Sequence, residues 1–161
     1  IINKKTKIEY NKIYEEINKN KKFKKLSEER HHGITRLEHT NRVAYLSFLM
    51  SKLFRLNTYA VTRGALLHDF YTTKDLNKCP TREIHKIHPY VALNNSMKYY
   101  NLTEVEKNII TSHMFPFNVE MPKFKESVIV GLADKIVATF EFLKFNSKTY
   151  AYFILLFIST R

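Results

Sequence analysis

Cysteine is all but missing: Cys79 is the single one in 161 residues. An intrachain disulfide and a cysteine-based zinc site are therefore both excluded, which suits a reducing compartment. Glycine and proline are scarce, at three and four residues, too few turn punctuators for the many short strands of a sandwich or barrel. Long helices are expected, and the fold class is read as all-α. Acidic residues are outnumbered, 15 against 27 Lys and Arg, for a formal net charge of +12. Long hydrophobic runs are lacking too. The most apolar stretch, "AYFILLFIS", falls well short of the roughly 20 residues a membrane span needs. It reads as a core helix, or as a partner-binding one if exposed. The opening "IINKKTKIEYNK" is polar and Lys-rich, with no recognisable secretory signal, so a cytoplasmic location is expected.

What is present supports one domain. A hydrophobic content of 44% with 14% aromatics is enough for a real core, and no repeat or low-complexity linker divides the chain. Much of the charge excess lies in "NKKTKIEYNKIYEEINKNKKFKK", a weakly amphipathic segment. Stacking aromatics are not interleaved there as a single-strand platform requires. It is read as a solvated Lys-rich helix that helps draw in an anionic substrate, and nucleic acid is the less favoured partner.

Helix starts carry local reasons. Thr35 and Glu38 are spaced for a capping box, and Val43, Leu46, Met50 and Leu53 then repeat on one face, led by His39. Asn57 or Thr58 caps a short helix on which Val61, Gly64, Ala65 and His68 share a face. The polar "YTTKDLNKCPTRE" is the longest break, a loop suited to substrate contacts. His88-Pro89 is expected to open the next helix, with proline at its first position. Thr103 and Glu106 form a second capping box, with Glu106, Ile109, Ile110 and His113 on one face. A long apolar helix follows in "SVIVGLADKIVATFEFL", where Asp134 sits among Ile129, Leu132, Ala133, Ile136 and Val137.

Six polar side chains thus fall at or near core-facing positions: His39, His68, Asp69, His88, His113 and Asp134. One inward histidine is ordinarily a hydrogen-bonded core residue. Six together are another matter, because a buried carboxylate such as Asp134 is costly without a cation or a hydrogen-bond network. Four imidazoles and two carboxylates form a donor set for a borderline transition metal. The adjacent pair in "GALLHDF" sits at a helix end where both side chains can turn toward one ion.

The same residues resemble the HD-domain metal-dependent phosphohydrolases. That pattern is a histidine, an adjacent His-Asp pair and a distal aspartate on helices, matched by His39 in "RLEHTNRVAYLS", His68 and Asp69 in "ALLHDF", and Asp134 in "GLADK". With "IHPYVALNNS" and "SHMFP", the context resembles a bacterial HD subfamily of the dinuclear type. The resemblance covers Gly33 to about Glu141, an HD core (33–141) within a single helical-bundle domain (1–161) that also holds a Lys-rich N-terminal helix (1–30) and an apolar C-terminal helix (147–159). It implies one ion bound by His39, His68, Asp69 and Asp134, and a second by Asp69, His88 and His113. One or two divalent transition-metal ions are expected, with iron or manganese preferred over zinc, cobalt, nickel or magnesium.

The activity so implied is hydrolysis of a phosphate ester or anhydride of a nucleotide-like small anion by metal-activated water. Asp69 would bridge the ions. His85 is a candidate for protonating the leaving group, and His32 is another. Many members place a lysine soon after the His-Asp pair; here it is delayed to Lys74, which is kept among the candidate catalytic residues. Arg36, Lys135 and Arg82 are candidates for holding substrate phosphate, and Glu141, two turns after Asp134, for a supporting position behind the ligands. No "GYP" motif follows, which argues against the branch that cleaves cyclic di-GMP. Two alternatives stay open: a catalytically silent HD fold that binds nucleic acid or a protein partner, and a di-iron oxygenase on the same scaffold.

Overall fold

Side-chain caps set where several helices begin. In the computed structural model Thr35 accepts from the Glu38 amide while Glu38 accepts from the Thr35 amide, opening α3 (Arg36–Leu53). Asn57 accepts from Ala60 to open α4 (Thr58–Leu67), and Thr103 with Glu106 forms the second reciprocal box at α6 (Glu104–Ser112). Each cap satisfies amides that the first helical turn leaves without partners. The structure describes residues 4–31, 33–76 and 79–159, with side chains described up to Ser147 apart from that of His31.

Ahead of α3 lie α1 (Lys4–Asn18) and the single turn α2 (Lys21–Lys24), followed by two short strands, β1 (Arg30–His31) and β2 (Ile34–Thr35). The strands pair antiparallel, Arg30 opposite Thr35 and His31 opposite Ile34. Gly33 turns the chain between them at φ +84, a conformation that costs glycine nothing. α5 (Ile84–Met97) and α7 (Lys125–Ser159) complete an all-α domain. α3 packs on α4 and α7, and α4 and α7 both pack on α6, so the core lies where these four helices meet. α1 closes over α4, and its Tyr10 hydroxyl bonds the Asn41 side chain of α3 at 2.6 Å.

Close approach of α4 to α6 depends on Gly64. A methyl group there would lie 2.8 Å from two side-chain carbons of Ile109, well inside contact distance. The small residue lets the helix that ends at His68 sit directly against the one that ends at His113.

Three readings of the sequence need correction. The buried face of α3 is His39, Thr40, Val43, Ala44, Ser47, Phe48 and Ser51, whereas Leu53 is exposed and Leu46 and Met50 are only half-buried. Of the two serines on this face, Ser51 donates its hydroxyl to the Phe48 carbonyl, whereas the Ser47 hydroxyl is enclosed without a hydrogen-bond partner. Pro89 does not open α5; the helix begins at Ile84, and Pro89 stands inside it, where it forgoes one amide bond. A 3₁₀ turn at Thr81–Glu83 leads directly into Ile84 and supplies the earlier start. On α7, Asp134 shares its buried face with Val130, Ala133, Val137 and Glu141, while Leu132 and Ile136 are exposed. The helix is continuous from Lys125 to Ser159. Among the described residues no helix is long and apolar enough to cross a membrane.

Candidate metal centre

The candidate ligands come from the ends and middles of five helices. His39 lies on the first turn of α3, His68 and Asp69 at the C-terminal end of α4, His88 on α5, His113 at the end of α6 and Asp134 on α7. All six are buried, and His39, His68 and His113 rank among the largest fully buried side chains. Their polar tips converge. Asp134 Oδ1 lies 3.1 Å from His39 Nε2 and 3.7 Å from His68 Nε2. Asp69 places Oδ2 3.9 Å from His68 Nε2, and Oδ1 3.3 Å from His88 Nε2 and 3.8 Å from His113 Nε2. Two overlapping triads, His39–His68–Asp134 and His68–Asp69–His113, bring ligand atoms within 4.8 Å of one another.

The tautomers of the rings are set from outside the cluster. Nδ1 of His68 donates to the Ala65 carbonyl at 2.7 Å, that of His88 to Ile84 at 2.8 Å, and that of His113 to Ile110 at 2.8 Å. Nδ1 of His39 donates to the Glu141 carboxylate at 2.8 Å. A carbonyl or carboxylate accepts only, so each Nδ1 carries the proton and each neutral ring aims an Nε2 lone pair inward. The consequence is plainest at His88 and His113, whose Nε2 atoms face each other at 2.9 Å. Two lone pairs at that distance call for a cation. His68 Nε2 and Asp69 Oδ1 have no hydrogen-bond partner although they are fully enclosed. Orphaned acceptors of this kind, with an outer hydrogen bond behind each ring, fit a bound divalent metal ion.

The electrostatics without an ion show the same frustration. Burial alone would lower the pKa of His39, but its bonds to Asp134 and Glu141 outweigh this and raise it to about 10. His68 is likewise raised, burial being overcome by Asp69 and Asp134. His113 goes the other way, to about 3, through burial and the neighbouring His68 and His88. Burial would raise Asp69, yet His68, His88 and Arg36 hold it well below the usual carboxylate range. Asp134 is lowered too, because His39 and His68 outweigh its burial. The cluster is arranged for positive charge at its centre.

Around the ligands, the structure brings some of the sequence candidates together and leaves others apart. Arg36 is buried and spends its guanidinium on Asp69 Oδ2 at 3.4 Å, stacked 3.8 Å above the centre of the Tyr71 ring. Glu141 is 2% exposed and also accepts from Arg42 at 3.1 Å. A cavity of about 440 Å³ opens over the cluster, lined by His85 and Lys135 together with the ligands. Lys135 donates to the carbonyls of His113 and Gly131, and burial lowers its pKa. Lys74 instead lines a separate cavity beside Lys21, Lys22 and Lys25. Arg82 is exposed and does not line the cavity over the cluster. His32 lies outside the described residues.

A family model for the HD domain matches residues 36–139. The chain belongs to the HD domain family. It matches no curated protein and no solved structure. HD domains form a superfamily of metal-dependent phosphohydrolases, and the matched span contains all six converging side chains of this one. Sequence reasoning did not single out Tyr71 as the ring beneath Arg36, nor Met114, Phe117 and Ala138 as cavity wall. Only tertiary packing assembles those contacts; the one local hint was that Tyr71 follows "HDF" directly.

Proposed function

We propose that this HD domain hydrolyses a phosphate ester or anhydride of a nucleotide-like small anion, using one or two divalent transition-metal ions held by His39, His68, Asp69, His88, His113 and Asp134. The observation that carries the reading is the inward convergence of four Nε2 lone pairs and two carboxylates beneath an open cavity. A purely structural ion would be sealed off, whereas this cluster faces space that a small ligand can enter. Mixed imidazole and carboxylate donors favour iron or manganese. When bound, such ions lower the pKa of a coordinated water and offset charge on the phosphoryl oxygens.

The chain's own groups then divide the work. Asp69 offers one oxygen toward His88 and His113 and the other toward His68, which suits it to serve both triads. Arg36 holds its rotation. Lys135, tethered by two carbonyls at the cavity wall, presents an ammonium for a substrate phosphoryl oxygen. His85, one turn before His88 and on the cavity wall, is assigned to hold the proton for the departing oxygen. Lys74 and Arg82 receive no part in this scheme. Ile84, Met114, Phe117 and Ala138 supply an apolar wall for the non-phosphate portion.

The test is a turnover screen of phosphomonoesters, phosphodiesters and nucleotides with manganese or ferrous iron. Release of phosphate, or of a nucleotide product, that falls at least tenfold in His85→Ala at unchanged metal content supports the reading. Dioxygen consumption without phosphate release would replace it with an oxygenase. Salt-sensitive nucleic-acid binding without turnover would replace it with a binding module.

A further inference from the structure

Two features that the metal centre leaves unused meet in one place: the Lys-rich segment before the hairpin and the polar loop that follows Asp69. Phe23 and Leu26 are fully buried, which pins the turn around α2, and helical spacing then gathers Lys21, Lys22 and Lys25 on its outer side. Asn20 caps that turn by accepting from the Lys22 and Phe23 amides. Phe23 packs edge-on against Phe70 at 5.7 Å, and Lys22 pairs with Asp75, 53 residues away, at 3.3 Å. These contacts bring Lys74 of the loop to the same cavity as the three lysines of the turn.

That cavity has a volume of about 770 Å³, against about 440 Å³ over the metal cluster, and the two share no lining residue. Its carboxylates are largely committed to the protein. Asp75 takes Lys22, the amide and hydroxyl of Thr72, and the Asn95 side chain. Glu29 takes the amide and hydroxyl of Thr73, which leaves Glu28, an exposed residue, as the remaining acid. Lys21, Lys25 and Lys74 have no hydrogen-bond or ion-pair partner among the described residues. Three unpaired ammoniums around one hollow repel each other, and a bound anion relieves that repulsion. Tyr99 completes the wall: its ring is 50% exposed and rests against Phe70 and Tyr100 at 6.1 and 6.5 Å.

We propose that this cavity is a second anion site, separate from the metal centre, for a small molecule that carries a chain of phosphates. An ammonium is a point charge with three rotatable donors, suited to phosphoryl oxygens, and three of them match several phosphates better than one. The volume lies in the range of small-ligand pockets, and a single aromatic ring is too few for the successive stacked bases of a nucleic-acid strand. Two sources share this chemistry: a nucleoside triphosphate, whose base would stack on Tyr99, and inorganic polyphosphate.

Isothermal titration calorimetry of the full chain with inorganic tripolyphosphate tests this at about 0.15 M salt, where charges more than about 8 Å apart are largely screened. Binding should weaken at least tenfold when Lys21→Ala, Lys25→Ala and Lys74→Ala are combined. It should weaken less than twofold when Lys4→Ala, Lys7→Ala and Lys12→Ala are combined, which removes the same charge from exposed positions on α1. Equal losses in the two variants, or no saturable binding by the wild type, overturn the proposal. So does a single-stranded RNA oligonucleotide that binds where tripolyphosphate does not, which would give these lysines to nucleic acid. Should the cavity variant lose helix content, acetylation rates of the wild-type lysines, read by mass spectrometry, take its place. Tripolyphosphate should slow Lys21, Lys25 and Lys74 at least fivefold and leave Lys7 and Lys12 unchanged; no selective protection overturns the site. The imido analogue of ATP separates the two sources. Tighter binding than tripolyphosphate, lost in Tyr99→Leu, supports the nucleotide, and equal binding supports the inorganic chain.

Discussion

Glu141→Gln isolates what the residue behind His39 does. The carboxylate accepts Nδ1–H of His39 at 2.8 Å and the Arg42 guanidinium at 3.1 Å, and it is 2% exposed. Glutamine conserves volume and one acceptor oxygen but removes the charge that favours an inward Nε2 lone pair. Replacing such an outer partner costs about 10- to 100-fold in metal affinity, equivalent to roughly 1.4 to 2.8 kcal/mol. Stability without metal should change less, since a hydrogen bond to Nδ1 can persist. Glu141→Ala is the harsher case: it leaves a buried Nδ1–H unpaired, at a cost of about 1 to 3 kcal/mol in folding. The assay is manganese or zinc affinity by competition with a chromogenic chelator, alongside urea unfolding in EDTA. Unchanged metal affinity in Glu141→Gln would refute the reasoning, whatever the alanine variant does.

Two further outcomes follow from the same structure. Gly64→Ala should lose about 1 to 3 kcal/mol in urea unfolding, because its methyl group meets Ile109 at 2.8 Å in a packed interface; an unchanged midpoint would mean that α4 and α6 separate freely. In EDTA, His39, raised to about 10 from 6.5, contributes stability that is present below pH 6.5 and lost as pH climbs through 10. The lowered Asp69, Asp134 and Glu141 contribute above the carboxylate range and lose it in acid. The metal-free urea midpoint should therefore fall between pH 6 and pH 8.5, and added metal should reverse the trend as the ion takes the place of the proton. A metal-free midpoint that rises over this interval would contradict the balance of charges described for the cluster.

Features settled within a few residues of chain were legible before any coordinates. The boxes at Thr35 and Thr103 and the Asn57 cap are short side-chain bonds to nearby amides, so spacing alone reveals them. The inward positions of His68 and His113 were legible for a related reason, since the apolar residues one turn earlier leave little choice of face. α3 was harder: two stripes compete, and the buried one is partly serine and threonine, which a hydrophobic period cannot favour. The start of α5 misled because proline prefers a first turn, whereas the preceding 3₁₀ turn, without a side-chain cap, began the helix earlier. Long-range arrangements were not legible at all. That Arg36 would stack on Tyr71 and clasp Asp69, or that Lys135 would be tied to the His113 carbonyl, depends on how α3, α6 and α7 meet.

The central claim is that the six converging side chains hold divalent metal. Its most direct test is transition-metal content per chain by mass spectrometry, on protein loaded with manganese or ferrous iron and desalted, for wild type and His113→Ala. One to two equivalents in the wild type, with a clear fall in the variant at unchanged helix content, is the predicted result. A wild type that retains no transition metal would contradict it, leaving four lone pairs and two carboxylates gathered for no cation.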